Sequence, residues 1–181
     1  MFGFCKCGSY PARNHETVLN TFFTPDEYSV KDTASCIVDA LVRDTIEDRV
    51  AAAFNFIVSN ITYTSDKKQF GKNDWWQYPN ETLSSVLTDG AVNRMYGDCE
   101  DSSFLFASLL IALGIPSSNV RVGVSGCHAW VECKLGNTWY LFETTNDSVL
   151  ETFIPASSVV GSSYSYKVKV YVYQGGCRYG R

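Results

Sequence analysis

The strongest pattern in the chain is an almost unbroken apolar run from Phe104 to Leu113. A helix with no polar face has to be covered on nearly all sides, so this run predicts a buried central helix. Gly114 and Pro116 follow it, a pairing that stops helices. Further upstream, Val50, Phe54, Ile57 and Ile61 recur at intervals of three and four, which predicts an amphipathic helix. Thr45 and Asp48 form a capping-box pattern at its start. Residues 33–43 predict another helix, with Ile37, Leu41 and Val42 on one side. After Pro116 the period changes from helix to strand. Val120 to Val124 is β-rich, His128 to Cys133 alternates, and Gly136-Asn137 marks a hairpin turn with Thr138 to Phe142 as the return strand. Residues 166–173 alternate strictly and predict a last strand. Helices first and antiparallel strands second is the order of an α+β domain.

The remaining segments carry less signal. Residues 1–30 show no clean period and read as an irregular arm packed on the domain. Residues 64–80 are polar and aromatic, which predicts a loop whose tryptophans, Trp75 and Trp76, must be buried. Glu81 to Leu87 reads as a short helix or turn, and the chain from Gly175 onward as a frayed tail. No repeat or linker interrupts the chain, so 1–181 is expected to be one domain.

Composition narrows the class. The chain has 181 residues, 45% of them apolar and 19% charged, which suits one folded domain and excludes disorder or a coiled coil. The net charge is −4, which argues against a nucleic-acid surface. There is no run of 18 apolar residues, so no membrane insertion is expected. Residues 1–7 do not read as a secretory signal. With seven cysteines, an odd number, the expectation is a cytoplasmic, reducing setting with free thiols. Cys5 and Cys7, even with His15 and Cys36, lack the spacing of a zinc site.

Candidate chemistry gathers at Gly97-Asp98-Cys99-Glu100-Asp101, at the mouth of the buried helix. A helix N-terminus offers unpaired N–H groups and partial positive charge, which favour a thiolate and an oxyanion. The three carboxylates oppose this, so Cys99 needs a cationic partner. His128 is one of only two histidines. Counting back from the Gly136-Asn137 turn places His128 near Glu143 on the adjacent strand. Nucleophile, base and orienting acid are the parts of a Cys-His-acid triad. Asp98, Glu100 and Asp101 otherwise read as caps on the helix dipole. Cys127 and Cys133 point to the opposite strand face and read as buried fillers.

Five stretches in order resemble the transglutaminase-like superfamily, and within it the bacterial transglutaminase-like cysteine proteases. They are Trp76-Gln77-Tyr78-Pro79-Asn80-Glu81-Thr82-Leu83, Gly97-Asp98-Cys99-Glu100-Asp101-Ser102, Leu113-Gly114-Ile115-Pro116, Cys127-His128-Ala129-Trp130-Val131-Glu132 and Trp139-Tyr140-Leu141-Phe142-Glu143-Thr144-Thr145. The resemblance covers about residues 45–146. The resemblance implies a papain-like core, with the nucleophile at a helix N-terminus packed on an antiparallel sheet. It matches Cys99 to the nucleophile and His128 to the base. Glu143 falls where the family usually has Asp. Gln77 and the rival Trp76 fall in the region that helps build the oxyanion hole. The resemblance implies no obligatory cofactor, but a calcium site beside the nucleophile in some relatives, for which Asp98 and Glu100 are the candidates here.

The activity expected is a cysteine hydrolase, a protease or isopeptidase acting on a protein or peptide substrate. The alternatives are a protein-glutamine transamidase and a non-catalytic binding module on the same scaffold.

Overall fold

The computed structural model describes residues 16–85, 87–88, 93–145, 153–161 and 166–179. Cys5, Cys7 and His15 lie outside the described residues, as do Asn146 and the two final residues. After a short 3₁₀ turn at Glu16–Phe22 come α1 (Tyr28–Asp39), α2 (Ile46–Asn60), β1 (Ile61–Tyr63), α3 (Asp66–Phe70) and α4 (Pro79–Ser84). Next are β2 (Leu87–Thr88), β3 (Asn93–Gly97) and the central helix α5 (Cys99–Ala112). The strands β4 (Val120–Val124), β5 (Ala129–Leu135), β6 (Thr138–Phe142), β7 (Ile154–Pro155), β8 (Val170–Tyr173) and β9 (Gly176–Tyr179) complete the chain. The last six form one antiparallel sheet in the order β7-β6-β5-β4-β8-β9. A small second sheet has the order β1-β3-β2. The α+β expectation holds.

The helix α5 lies between α1 and α2 on one side and β4 and β5 on the other. Every residue from Cys99 to Leu110 is buried, as its lack of a polar face predicts. Its end is a Schellman turn: Ile115 N–H donates to Leu110 O and Gly114 N–H to Ile111 O, with Gly114 at φ +92°. Val30, Ala34 and Ile37 of α1 and Val50, Ala53, Phe54 and Ile57 of α2 pack into the same core. Rings of Phe54, Phe106 and Phe142 meet there, joining α2, α5 and β6. Thr45 caps α2 by accepting the Asp48 N–H, as expected.

Five expectations need correction. The first helix starts at Tyr28 and stops at Asp39, because its buried stripe is Val30, Ala34 and Ile37; Val42 is wholly exposed. This also shortens the irregular arm, whose described part already holds the 3₁₀ turn and the start of α1. The loop expected over 64–80 contains α3 and the start of α4, helices too short to show a period. Gly71 at φ +69° ends α3, and Pro79 at the first helical position opens α4. The last alternating stretch pairs only from Val170, because Val124, its partner, ends β4. The tail from Gly175 is no frayed end: Gly176 at φ +143° turns the chain, and β9 pairs with β8 from Gly176 to Tyr179. No helix among the described residues is long and apolar enough to cross a membrane.

The sheet face away from α5 has its own small core of Trp130, Leu141 and Ala156, flanked by Trp139, Val159, Val160 and Tyr166. Glu132 is fully buried beneath it, and a buried carboxylate needs partners. It accepts the Trp130 indole N–H at 2.9 Å and Arg121 at 2.6 Å. The Arg121 guanidinium in turn sits between the Trp139 and Tyr171 rings, 4.0 and 3.8 Å from their centroids. Trp130 faces Gly123 across the β4–β5 ladder and lies over it. A Cβ added at Gly123 would come within 2.4 Å of the fully buried indole. Gly123→Ala is therefore expected to cost about 1–3 kcal/mol through overpacking. A denaturation midpoint equal to that of the unaltered protein would show that the indole can move aside.

Candidate active site

Cys99 is the first residue of α5 and is 6% exposed. The chain reaches it through Gly97, at the end of β3. A Cβ there would lie 2.7 Å from the Asp101 Cβ, so only glycine lets the strand close on the helix's first turn. The Cys99 Sγ receives the backbone N–H of Ala129, the residue after His128. The thiol itself donates to Glu100 Oε2 at 3.1 Å. Burial pushes the Cys99 thiol well above its usual value, and the charges of Glu100 and Asp98 push it further. Burial, with the acidic first turn adding to it, thus opposes the pull of the helix N-terminus toward a thiolate.

The β5–β6 register pairs Val131 with Phe142, which brings His128 and Glu143 to the same end of the hairpin. His128 Nε2 and Glu143 Oε2 are 2.6 Å apart, and this leaves Nδ1 as the other ring nitrogen. Glu143 Oε1 accepts the Thr145 backbone N–H at 3.1 Å and its hydroxyl at 2.7 Å. Glu143 Oε2 also accepts the Tyr166 hydroxyl at 2.8 Å. Burial raises the Glu143 carboxyl, but His128, Thr145 and Tyr166 outweigh it and hold the group below its usual value. Ser102 Oγ lies 2.8 Å from Thr144 Oγ1, tying α5 to the chain beside Glu143. Cys133 is buried as expected, whereas Cys127 is only half-buried because it precedes the strand.

The two oxyanion candidates are differently employed. The Gln77 backbone N–H donates to Asp101 Oδ1 at 2.7 Å. Its side-chain Nε2 donates to Asp101 Oδ2 at 2.7 Å and to Tyr96 O at 3.2 Å. The Trp76 indole N–H donates to Asp74 Oδ1 at 2.9 Å. Both residues are buried; the Gln77 donors fasten the loop before α4 to the first turn of α5, and the Trp76 donor is spent within that loop. This corrects the expectation of a free side-chain donor at Gln77 or Trp76.

Asp98 and Glu100 belong to a larger set. Carboxylate oxygens of Asp66, Asp74 and Glu100 come within 4.8 Å of one another, as do those of Asp66, Asp98 and Asp101. Sequence reasoning missed Asp66 and Asp74, both within the stretch read as a loop; the only signal was Asp74 beside Trp75, which is itself half-buried and not fully buried as expected. Burial first, and like charge second, raise these groups. Asp98 moves to about 8 and Glu100 moves well up. Asp66 is pushed to about 7, burial again outweighing the Trp75 N–H that it accepts. Asp101 moves only to about 6, because Gln77 offsets part of its burial. Glu100 shares hydrogen bonds with Asp74 and Asp98, which requires protons between carboxyls. Asp66 Oδ1 and Asp98 Oδ1 are buried without any partner. An all-oxygen donor set with orphaned, buried carboxylate oxygens fits a hard cation such as calcium.

Comparison with curated protein sequences finds no match. Solved structures with the same fold include Legionella pneumophila LapG in an EGTA-treated form, at TM-score 0.60 and 15% identity over 90% of this chain and 84% of that one. The calcium-bound form of L. pneumophila LapG gives TM-score 0.59 and 17% identity, over 82% of this chain and 79% of that one. A third L. pneumophila LapG structure gives 0.59 and 16%, over 90% and 86%. A family model described as the transglutaminase-like superfamily matches residues 34–144, a stretch that takes in Cys99, His128 and Glu143. By that match, and with the fold to support it, the chain belongs to the transglutaminase-like superfamily.

Proposed function

We propose that the protein is a cysteine hydrolase that cleaves peptide or isopeptide amide bonds of a protein substrate through an acyl-thioester on Cys99. The observation that carries this reading is a thiol at a helix N-terminus, bonded to the Ala129 N–H, with the adjacent residue His128 held 2.6 Å from Glu143. His128 Nδ1 takes the Cys99 proton, and the thiolate sulfur attacks the carbonyl carbon. The oxygen that becomes negative sits at the start of α5, where the Cys99 backbone N–H has no intrahelical acceptor and serves as a donor. The imidazolium then protonates the leaving amine as the C–N bond breaks. Water, deprotonated by His128, attacks the thioester carbon and releases the acid and the free thiol. Glu143 keeps the imidazole in one orientation and balances its charge.

Asp66, Asp74, Asp98 and Glu100 are assigned as the ligands of a calcium ion. What supports this is the buried, partnerless oxygens and the existence of a calcium-bound form of L. pneumophila LapG. A bound cation would supply the positive charge that this acidic first turn lacks. With Glu100 holding such a cation, its oxygen would compete less for the Cys99 proton, leaving that proton to His128.

Iodoacetamide should label Cys99 faster than the other six thiols near neutral pH in the presence of calcium. His128→Ala should slow that labelling, and reduce any peptide cleavage by about 10²–10⁴-fold. A Cys99 no more reactive than its six companions under every condition would end the hydrolase reading. Release of an amine-exchanged product in place of the free acid would instead identify a transamidase.

The raised carboxyls also set a pH dependence. Between the ordinary value of 3.8 and the folded values of about 7 for Asp66 and about 8 for Asp98, the folded chain holds protons that the unfolded chain has released. Stability without calcium must then fall as pH rises through that window. A fixed calcium concentration, ~100 times the Kd at pH 8, should restore ~2.7 kcal/mol there and less at pH 5, where protons compete for the same carboxylates. Thermal melts with calcium or EGTA at the two pH values measure this, and equal shifts at both would contradict the ligand assignment.

Gln77→Ala should cost about 1–3 kcal/mol of stability, because it strips a donor from buried Asp101. Were Gln77 the oxyanion donor instead, turnover would drop by about 10²–10³ at unchanged stability.

A further inference from the structure

We propose that Tyr166 is a positioning residue for the His128–Glu143 pair, its hydroxyl fixing the same carboxylate oxygen that holds the imidazole. The inference rests on the catalytic reading above and adds a residue to that site. The Tyr166 hydroxyl donates to Glu143 Oε2 at 2.8 Å, the atom that lies 2.6 Å from His128 Nε2. Its ring stands edge-on to the imidazole, with centroids 5.7 Å apart at 82°. Beside it the Trp130 ring lies 6.2 Å from the imidazole at 28°, and Trp130 and Tyr166 meet at 5.3 Å. His128, Trp130 and Tyr166 thus form a three-ring cluster, in addition to the bond to Glu143.

Glu143 creates the need for such a residue. A glutamate has one more rotatable bond than the aspartate usual at this place, so its carboxylate has more freedom to lose. Thr145 grips Oε1 with two donors, which leaves the carboxylate free to pivot about that end. A second donor on Oε2 removes the pivot. Tyr166 is itself anchored. Its carbonyl accepts the Gly161 N–H at 3.0 Å, and three residues on, the Lys169 N–H binds Val124 O at 2.8 Å. Burial, reinforced by the Glu143 charge, pushes the Tyr166 hydroxyl well up, so it remains a donor throughout the neutral range.

The test uses the full chain with calcium present and two readouts. Long-range ¹H–¹⁵N spectra of ¹⁵N-histidine protein report the His128 tautomer, and His15→Gln identifies the only other histidine signal. Iodoacetamide labelling reports Cys99. The unaltered protein is expected to show His128 as the Nε2–H tautomer. Tyr166→Phe keeps the ring, and should retain the fold by circular dichroism, mix the two tautomers, and slow Cys99 labelling about tenfold, the scale of one lost hydrogen bond to a charged group. Tyr166→Leu, which removes the ring as well, should be slower still. If the Phe variant keeps both the tautomer and the labelling rate of the unaltered protein, the ring alone matters and the proposal is overturned. If the tautomer shifts in the Phe variant while Cys99 is unreactive even in the unaltered protein, the positioning role stands and the hydrolase reading falls.

Discussion

Everything at this site depends on burying the first turn of α5. Most surface helices present their N-terminus to water, which satisfies the free N–H groups and any acidic caps. Here the turn holding Cys99, Glu100 and Asp101 is covered by the loop before α4 on one side and by β5 on the other. The apolar run that follows is the cause. A helix buried from its first residue to Leu110, clamped between two helices and a sheet, carries its polar first turn inside with it.

That burial has an electrostatic consequence. Burial raises the carboxyls of Asp66, Asp98 and Glu100 and favours their protonated forms, whereas Asp101 is held lower by the Gln77 donors. The thiol joins these carboxyls as a donor, which is the opposite of what a nucleophile needs. The same low-dielectric setting that makes unpaired oxygens costly also makes a cation valuable there. The ionisation of the Cys99 thiol and the charge of the first turn are therefore two faces of one balance.

At the other end of the site, the imidazole is positioned by strand register and then by side-chain donors. Backbone pairing brings His128 and Glu143 together, but it does not decide how the longer carboxylate is oriented. Thr145 does so from the same strand end, and Tyr166 from a segment that crosses the far face of the sheet. Trp130, fixed by Glu132 and seated on Gly123, supplies the wall against which the imidazole rests. The sheet face away from α5 thus supports the site as much as the core does.

Local rules were sufficient for much of this. The buried helix, its glycine stop, the capped α2 and the β5–β6 hairpin all follow from period, caps and turn residues, and pairing register alone put His128 beside Glu143. Such features involve residues close in sequence or joined by one tight turn, where geometry leaves few alternatives. The short helices at Asp66 and Pro79 escaped detection because one turn has no measurable period. The last strand began later than its alternation suggested because its partner ran out. Only the tertiary structure turned Gln77 and Trp76 from oxyanion candidates into fasteners, brought Asp66 and Asp74 to Glu100, and carried Tyr166 to Glu143. In each case the deciding quantity is which distant polar group a buried atom can reach once water is excluded, and no pattern along the chain encodes that.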